Sequence, residues 1–368
     1  MSLRHSFFTA AFLAASIFCV TSCSTNQPFG HSDDEEQGKD LVDTFNLSQF
    51  EKFKSGTPLP AGSKSATTTQ VLVVANAPVV EKVVVSKGKK GKKSKKEIKE
   101  TKSATATLVQ DQFPKDYPEE LKSYDVKYKK YWEGFKPIMN KGEEFVFKAS
   151  YLGITAGYMK MTTVEDAVVA NREVYHVSGH LTSAEYYRMI YSVDDRIDTY
   201  IDKKTFTPLK YSLIQRESKQ SVDDLQIFDS ENYLSHFWYK RVKKDAMKNE
   251  QKNDFIPRLF QDSFSALHFV RGLPLKVGSY FEFPVYTRAK IWIIKLWVEE
   301  EEEVSVAGTD YNTFRIRAQT HFPGVLKAND DIFFWFTSTP ERLPVKFKAK
   351  VKIGSIAGEL VKYTAGQQ

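Results

Sequence analysis

The chain has 368 residues, 14% of them aromatic and only two of them cysteine, with a formal charge of +7 from 53 basic and 46 acidic side chains. Two cysteines exclude a disulfide-stapled scaffold, so the fold has to rest on a hydrophobic core, and the length allows one large domain of roughly 200 to 250 residues. Nine lysines between Lys87 and Lys102 face only Glu97 and Glu100, a local +7 that equals the whole formal excess; the rest of the chain is balanced and gives no ground for a nucleic-acid-binding fold.

Residues 1–22 have the make-up of a secretory signal peptide: Arg4 and His5, an apolar run over 7–20, then Val20-Thr21-Ser22-Cys23. The apolar run is shorter than the roughly 20 residues a spanning helix needs. The last four residues resemble a bacterial lipobox, so Cys23 is the expected lipidation site and first residue of the mature protein. Two or three acyl chains on Cys23 would anchor it permanently. Ser24 stands where enterobacterial inner-membrane lipoproteins carry Asp, and by that resemblance the destination is the outer membrane, facing the periplasm. Cys19 lies in the segment to be removed, which leaves the mature chain without an internal disulfide and without a thiol nucleophile.

Residues 23–114 lack a sustained period and mix acidic, Gly/Ser/Pro/Thr-rich and lysine-rich stretches. They are expected to form a disordered, lipid-anchored linker. Within it Lys87, Lys89, Lys90, Lys92, Lys93, Lys95 and Lys96 are candidates for electrostatic contact with peptidoglycan carboxylates or anionic lipid, against the plainer role of a self-repelling spacer. Residues 115–140 read as an amphipathic helix opening at Pro118-Glu119-Glu120, with Leu121, Tyr124, Tyr128, Tyr131, Trp132 and Phe135 on one face and Gly134 and Pro137 at its end. Packing on the following domain is the default for that face; a partner or a membrane surface is the alternative.

From Glu143 the period changes to two. Phe145, Phe147, Ala149 and Tyr151 alternate, and about a dozen short strands separated by turn signals follow through residue 363. One helix is expected over 260–270, with Asp262 as its cap and Gly272 as its stop. The fold class is therefore mainly β: a single large curled antiparallel sheet, a sandwich or open barrel, with one short inserted helix and preceded by one amphipathic helix.

Residues 143–365 resemble the bacterial envelope family known as domain of unknown function 3108 (DUF3108). The resemblance is carried by Phe147-Lys-Ala-Ser-Tyr-Leu-Gly-Ile-Thr-Ala-Gly157, Tyr191-Ser-Val-Asp-Asp-Arg-Ile-Asp198 and Thr205-Phe-Thr-Pro-Leu209. It continues in Asp262-Ser-Phe-Ser-Ala-Leu-His-Phe-Val-Arg-Gly-Leu-Pro-Leu-Lys-Val-Gly278, Val306-Ala-Gly308 and Trp335-Phe-Thr-Ser-Thr-Pro-Glu-Arg-Leu-Pro-Val345. It implies an exported, β-rich and often lipid-anchored protein with no assigned reaction. The general shape is similar, at fold level only, to curved-sheet lipoprotein carriers.

No catalytic or metal-binding constellation stands out. His176 and His180 are four apart, which on a strand separates them by roughly 13 Å, too far for one ion. Asp194, Asp195, Asp198 and Asp202 with Arg196 offer oxygen ligands for calcium or a carboxylate pair, but read by default as a polar strand face with Asp194, Arg196 and Asp198 alternating outward and ion-paired. Ser263, Ser265 and His268 lack a G-x-S-x-G elbow. Arg271 is expected to fix the helix exit by pairing with Asp262 or a sheet carboxylate. The five acids Glu299 to Glu303 suit a solvated hairpin end. No catalytic residue, cofactor or metal is assigned.

The leading expectation is a non-enzymatic outer-membrane lipoprotein whose β domain binds an apolar or peptide ligand, or a protein partner, in the concavity of its sheet. The aromatics Phe145, Phe147, Tyr151, Phe281, Phe283, Trp292, Trp297, Phe333 and Trp335 would line that concavity or simply fill the core. The alternative is a structural tether acting through the lysine-rich linker, and a hydrolase of unknown type comes third.

Overall fold

The structure is a computed structural model that describes residues 40–55, 113–244, 246–319, 331–350 and 354–367. Cys23, the signal peptide and the lysines at 87 to 96 lie outside the described residues. Among the described residues, sixteen strands form one sheet: β1 (Glu144–Tyr151), β2 (Ile154–Thr163), β3 (Ala167–Val169), β4 (Arg172–Ser183), β5 (Val193–Asp202), β6 (Pro208–Glu217), β7 (Gln220–Asp229) and β8 (Leu234–Lys243). These are followed by β9 (Ala246–Phe255), β10 (Gln261–Asp262), β11 (Tyr280–Tyr286), β12 (Ile291–Val306), β13 (Thr309–Gln319), β14 (Ile332–Thr337), β15 (Pro344–Lys350) and β16 (Ser355–Thr364). The helices are α1 (Leu41–Thr44), α2 (Glu119–Glu133), α3 (Glu185–Arg188) and α4 (Ser265–Gly272), with a 3-10 segment at Ser48–Phe53.

The hydrogen-bonded order runs β10 to β16, then β1, β2 and β4 to β9, with β3 beside β4. The sheet is large, curled and unclosed, as the alternating pattern anticipates. Its two free edges, β9 and β10, are consecutive in the chain. All pairs are antiparallel except β10 with β11, which α4 joins. The exposed edge strand β9 carries Lys248, Glu250 and Lys252, which discourage further strand pairing.

The interior of the curl is packed by the chain itself. Seven of the eight residues of α4 are buried, and Phe269 of that helix stacks on Phe135 at 4.8 Å, meets Phe283 edge to face at 4.9 Å and packs at a tilt on Trp132 of α2 at 4.2 Å. The amphipathic face of α2 therefore packs on the sheet, and Lys127 adds an ion pair to Glu282 of β11 at 2.8 Å. Asp262 ends β10 and caps α4 by accepting from the backbone N–H groups of Phe264 and Ser265, both at 2.7 Å.

One departure from the expected layout falls at the N-terminal side. The span 23–114 is interrupted, because residues 40–55 pack on the outer face of the sheet. Leu41, Val42, Leu47 and Phe53 are buried against Val174, Tyr200, Leu209, Ile214, Leu225 and Trp238, each contributing roughly 1.5–3 kcal/mol in gross transfer terms. This strap explains why every residue from Pro208 to Gln215 is buried, the mark of a strand covered on both faces. Asp40 caps α1 through the Val42 N–H at 2.9 Å and receives the Lys210 ammonium on both carboxylate oxygens at 2.7 and 2.5 Å. Burial alone would raise the Asp40 carboxyl, but Lys210 holds it below its ordinary value; burial lowers Lys210 in turn. The two tendencies oppose each other, and the two-oxygen contact favours the ionised pair.

Candidate functional site

The period of two in β5 places Val193, Asp195, Ile197, Thr199 and Ile201 on the inner face and Asp194, Arg196 and Asp198 on the outer one. Asp195 is thereby carried into the core, 1% exposed. Its cross-strand neighbour is Gln215, whose side-chain amide donates to Asp195 Oδ2 at 3.0 Å and to Glu217 Oε1 at 3.3 Å. Asp195 Oδ1 accepts the Arg216 N–H at 3.0 Å. Glu217 Oε2 accepts from the Tyr191 hydroxyl at 2.5 Å and from the Gln220 amide at 3.0 Å.

Two carboxyls bridged by one neutral amide in a low-dielectric setting cannot both ionise freely. Burial, then the Glu217 charge, pushes Asp195 well above the carboxylate range, and burial pushes Glu217 up to about 7. Both shifts favour a shared proton, and the pair titrates as a unit. Glu217 is half-buried, whereas Asp195 is buried.

A second buried acid, Asp224 of β7, lies on the same inner face. It accepts from the Gln226 amide at 3.0 Å and faces Arg288 at 3.4 Å; burial raises it to about 6 despite Arg288. Farther along, Arg271 and Glu143 form a fully buried bidentate pair at 2.7 and 2.9 Å. Arg271 also donates to the carbonyls of Glu341 at 3.0 Å and Arg342 at 3.3 Å, and Tyr363 donates to Glu143 at 3.1 Å. This clasp ties α4 to the start of β1 and to the β14–β15 turn.

A family model described as a protein of unknown function, DUF3108, matches residues 146–361. The chain belongs to the DUF3108 family. The acid pair, Arg271 and the strap's receiving strands all lie within this DUF3108 region, whereas Glu143 and Tyr363 flank it. No curated protein matches the chain. Among solved structures, similarity extends to a beta-barrel-like protein of domain of unknown function DUF1849 from Brucella abortus, at 9% identity and a TM-score of 0.40, covering 63% of this chain and 100% of that one. A protein of Parabacteroides distasonis provisionally named a lipoprotein is 10% identical over 63% of this chain and 99% of its own, with a TM-score of 0.29. One of Bacteroides fragilis, provisionally named as exported, is 8% identical with the same coverage and score.

The remaining candidates of the DUF3108 region take structural places. His176 and His180 project outward, His176 to Asp198 at 2.7 Å and His180 to Asp194 at 2.6 Å. The outward aspartates of β5 are thus hydrogen-bonded to histidines of β4. Asp202 leaves this row and binds Arg172 at 2.6 Å. Ser265 accepts from the Asp262 N–H at 2.9 Å, while His268 is fully buried, hydrogen-bonds neither serine and is lowered to about 3 by burial and then by Arg271. It is a neutral core residue.

Of the two partners expected for Arg271, a carboxylate at the sheet, Glu143, is the one found, and not Asp262. One expectation needs correction. The acids Glu299 to Glu303 sit within the long strand β12, not at its turn, which is Ala307-Gly308; a bulge after Val298 shifts the register there. Arg315 and Arg317 on β13 make this tolerable by binding Glu299 at 3.0 and 2.6 Å. Of the aromatics, Phe145, Phe147, Phe281, Phe283 and Trp335 are buried in the main core, Tyr151, Trp292 and Phe333 are half-buried at its margin, and Trp297 is half-buried beside Tyr280 with Arg317 over its ring.

Proposed function

We propose that this DUF3108 protein is a non-enzymatic, exported lipoprotein of the cell envelope, held at the outer membrane on the periplasmic side through Cys23, whose β domain acts by surface contact. One observation supports it above the others. The concavity expected to take a ligand is occupied by α4 and its aromatic stack, while large apolar side chains stand exposed on chain reversals outside it. A carrier needs the opposite distribution. The strap adds a distance limit: Asp40 follows Cys23 by 17 residues (40 minus 23), so at no more than about 3.6 Å per residue the docked strap stays within roughly 60 Å of the anchor. Metabolic labelling with a fatty-acid analogue, followed by membrane fractionation, tests the anchor. Label is expected in the natural chain and lost in Cys23→Ala, in which membrane association is weakened but not abolished; undiminished labelling of the variant refutes the reading.

A further inference from the structure

Two neighbouring connections carry apolar side chains that the fold does not use. The β1–β2 turn is two residues long, closed by the Tyr151–Ile154 pair, with Leu152 at φ 50° and Gly153 at φ 81°. Such a turn favours Asn, Asp or Gly at its first position, because a left-handed backbone crowds a larger side chain. The equivalent turn between β12 and β13 uses Ala307-Gly308. Leu152 accepts the strain yet remains 58% exposed, and Ile154 beside it is 62% exposed.

The chain after β4 lies alongside. Ala184 N–H donates to the Ala156 carbonyl at 2.9 Å, and the Tyr186 hydroxyl donates to the Thr155 carbonyl. This contact brings α3 and the residues after it next to the turn, where Met189 is 87% and Ile190 68% exposed. Arg188 is exposed among them, and Lys350 is exposed on the adjoining β15–β16 hairpin, whose Ser355 carbonyl accepts the Leu152 N–H at 3.2 Å. Glu185 is the acid of this group.

We propose that this end of the sheet is a lipid-contact site, inserting Leu152, Ile154, Met189 and Ile190 into the interfacial layer of a bilayer. Aliphatic tips with an aromatic hydroxyl and flanking bases match the depth order of that layer: chains below, Tyr186 at the headgroups, Arg188 and Lys350 at the phosphates. The proposal rests on the lipid-anchor reading for the nearness of a membrane.

The test uses the full chain in vesicles of phosphatidylethanolamine and phosphatidylglycerol. With Cys19 replaced by Ser and Cys23 either lipidated or changed to Ala, Met189→Cys supplies the one free thiol for an environment-sensitive fluorophore. Val126→Cys on α2, 82% exposed, is the control. A Met189 probe that shifts to the blue and is quenched by brominated lipid in both forms, with the Val126 probe unaffected, supports the site. In the unanchored form, Leu152→Ser/Met189→Ser/Ile190→Ser is expected to weaken vesicle binding at least about tenfold with an unchanged thermal midpoint. A Met189 probe as water-exposed as the control overturns the proposal even when the lipidated chain floats with vesicles. A probe that responds to protein concentration without vesicles overturns it in favour of a second copy of the chain. Failure of the lipidated form to float is a separate result, and tells against the anchor alone.

Discussion

Arg271→Met isolates the clasp between the inserted helix and the sheet. The substitution keeps the apolar stem over Phe145, whose ring lies 5.0 Å from the guanidinium carbon, and removes both charge-assisted bonds to Glu143 and both backbone contacts to the β14–β15 turn. Glu143 is left fully buried, with the Tyr363 hydroxyl as its remaining side-chain donor. Orphaning one member of such a pair costs about 3–5 kcal/mol. At about 2–4 °C per kcal/mol for a domain of this size, the thermal midpoint should fall by about 6–20 °C. Urea denaturation followed by circular dichroism, with a check that the m-value is unchanged, measures the loss. The double variant Arg271→Met/Glu143→Leu removes the orphaned charge and should recover about half of it. A single variant within about 1 kcal/mol of the natural protein, or a double variant no better than the single, would refute the assignment of this pair as the lock on α4.

Glu217 gives a pH prediction. It titrates near 7 when folded and as an ordinary carboxyl when unfolded, so the folded state holds the proton longer and loses stability as pH rises from about 4.5 to about 7, by about 1–3 kcal/mol. Asp195 acts in the same direction, and Glu217→Gln should flatten the dependence of the urea midpoint on pH; an unaltered slope tells against the shared-proton pair. Asp40→Ala leaves the Lys210 ammonium buried without its carboxylate and should loosen the strap. Trypsin cleavage after Lys52 and Lys54, read by mass spectrometry, should then accelerate at least about tenfold; equal rates at these two bonds count against the strap.

How much was legible in the chain depended on whether one face of an element met water. Strands β11 and β14 are legible because Phe281, Phe283 and Val285, or Phe334 and Phe336, stand out by alternation. Strand β9 was missed, since Lys248 to Asn253 faces solvent on both sides and carries no apolar period. The strap was missed for a different reason: Leu41, Val42, Leu47 and Phe53 are too few to form a core alone and become readable only beside the outer face of β6 and β7. The acid pair was half visible. Asp195 shares its parity with Val193 and Ile197, and that parity was the signal for a carboxyl pointing inward; its partner Glu217 lies on another strand and required the register. The lysine tract also changes meaning, because the chain docks at residues 40–55 before it. The tract belongs to a covalent loop that leaves the β domain and returns to it, not to the connection between Cys23 and the domain.

The strand order has a consequence for synthesis. Phe147 of β1 pairs on one side with Met159, made moments later, and on the other with Leu360, and Lys141 and Gln367 exchange backbone hydrogen bonds at 2.9 and 2.8 Å. The first strand therefore waits for the last before its second edge is satisfied, whereas the seam of the sheet falls mid-chain, between β9 and β10. Closure of such a long loop is slow. The edge of β1 that faces β16 is therefore completed only once translation has passed residue 360.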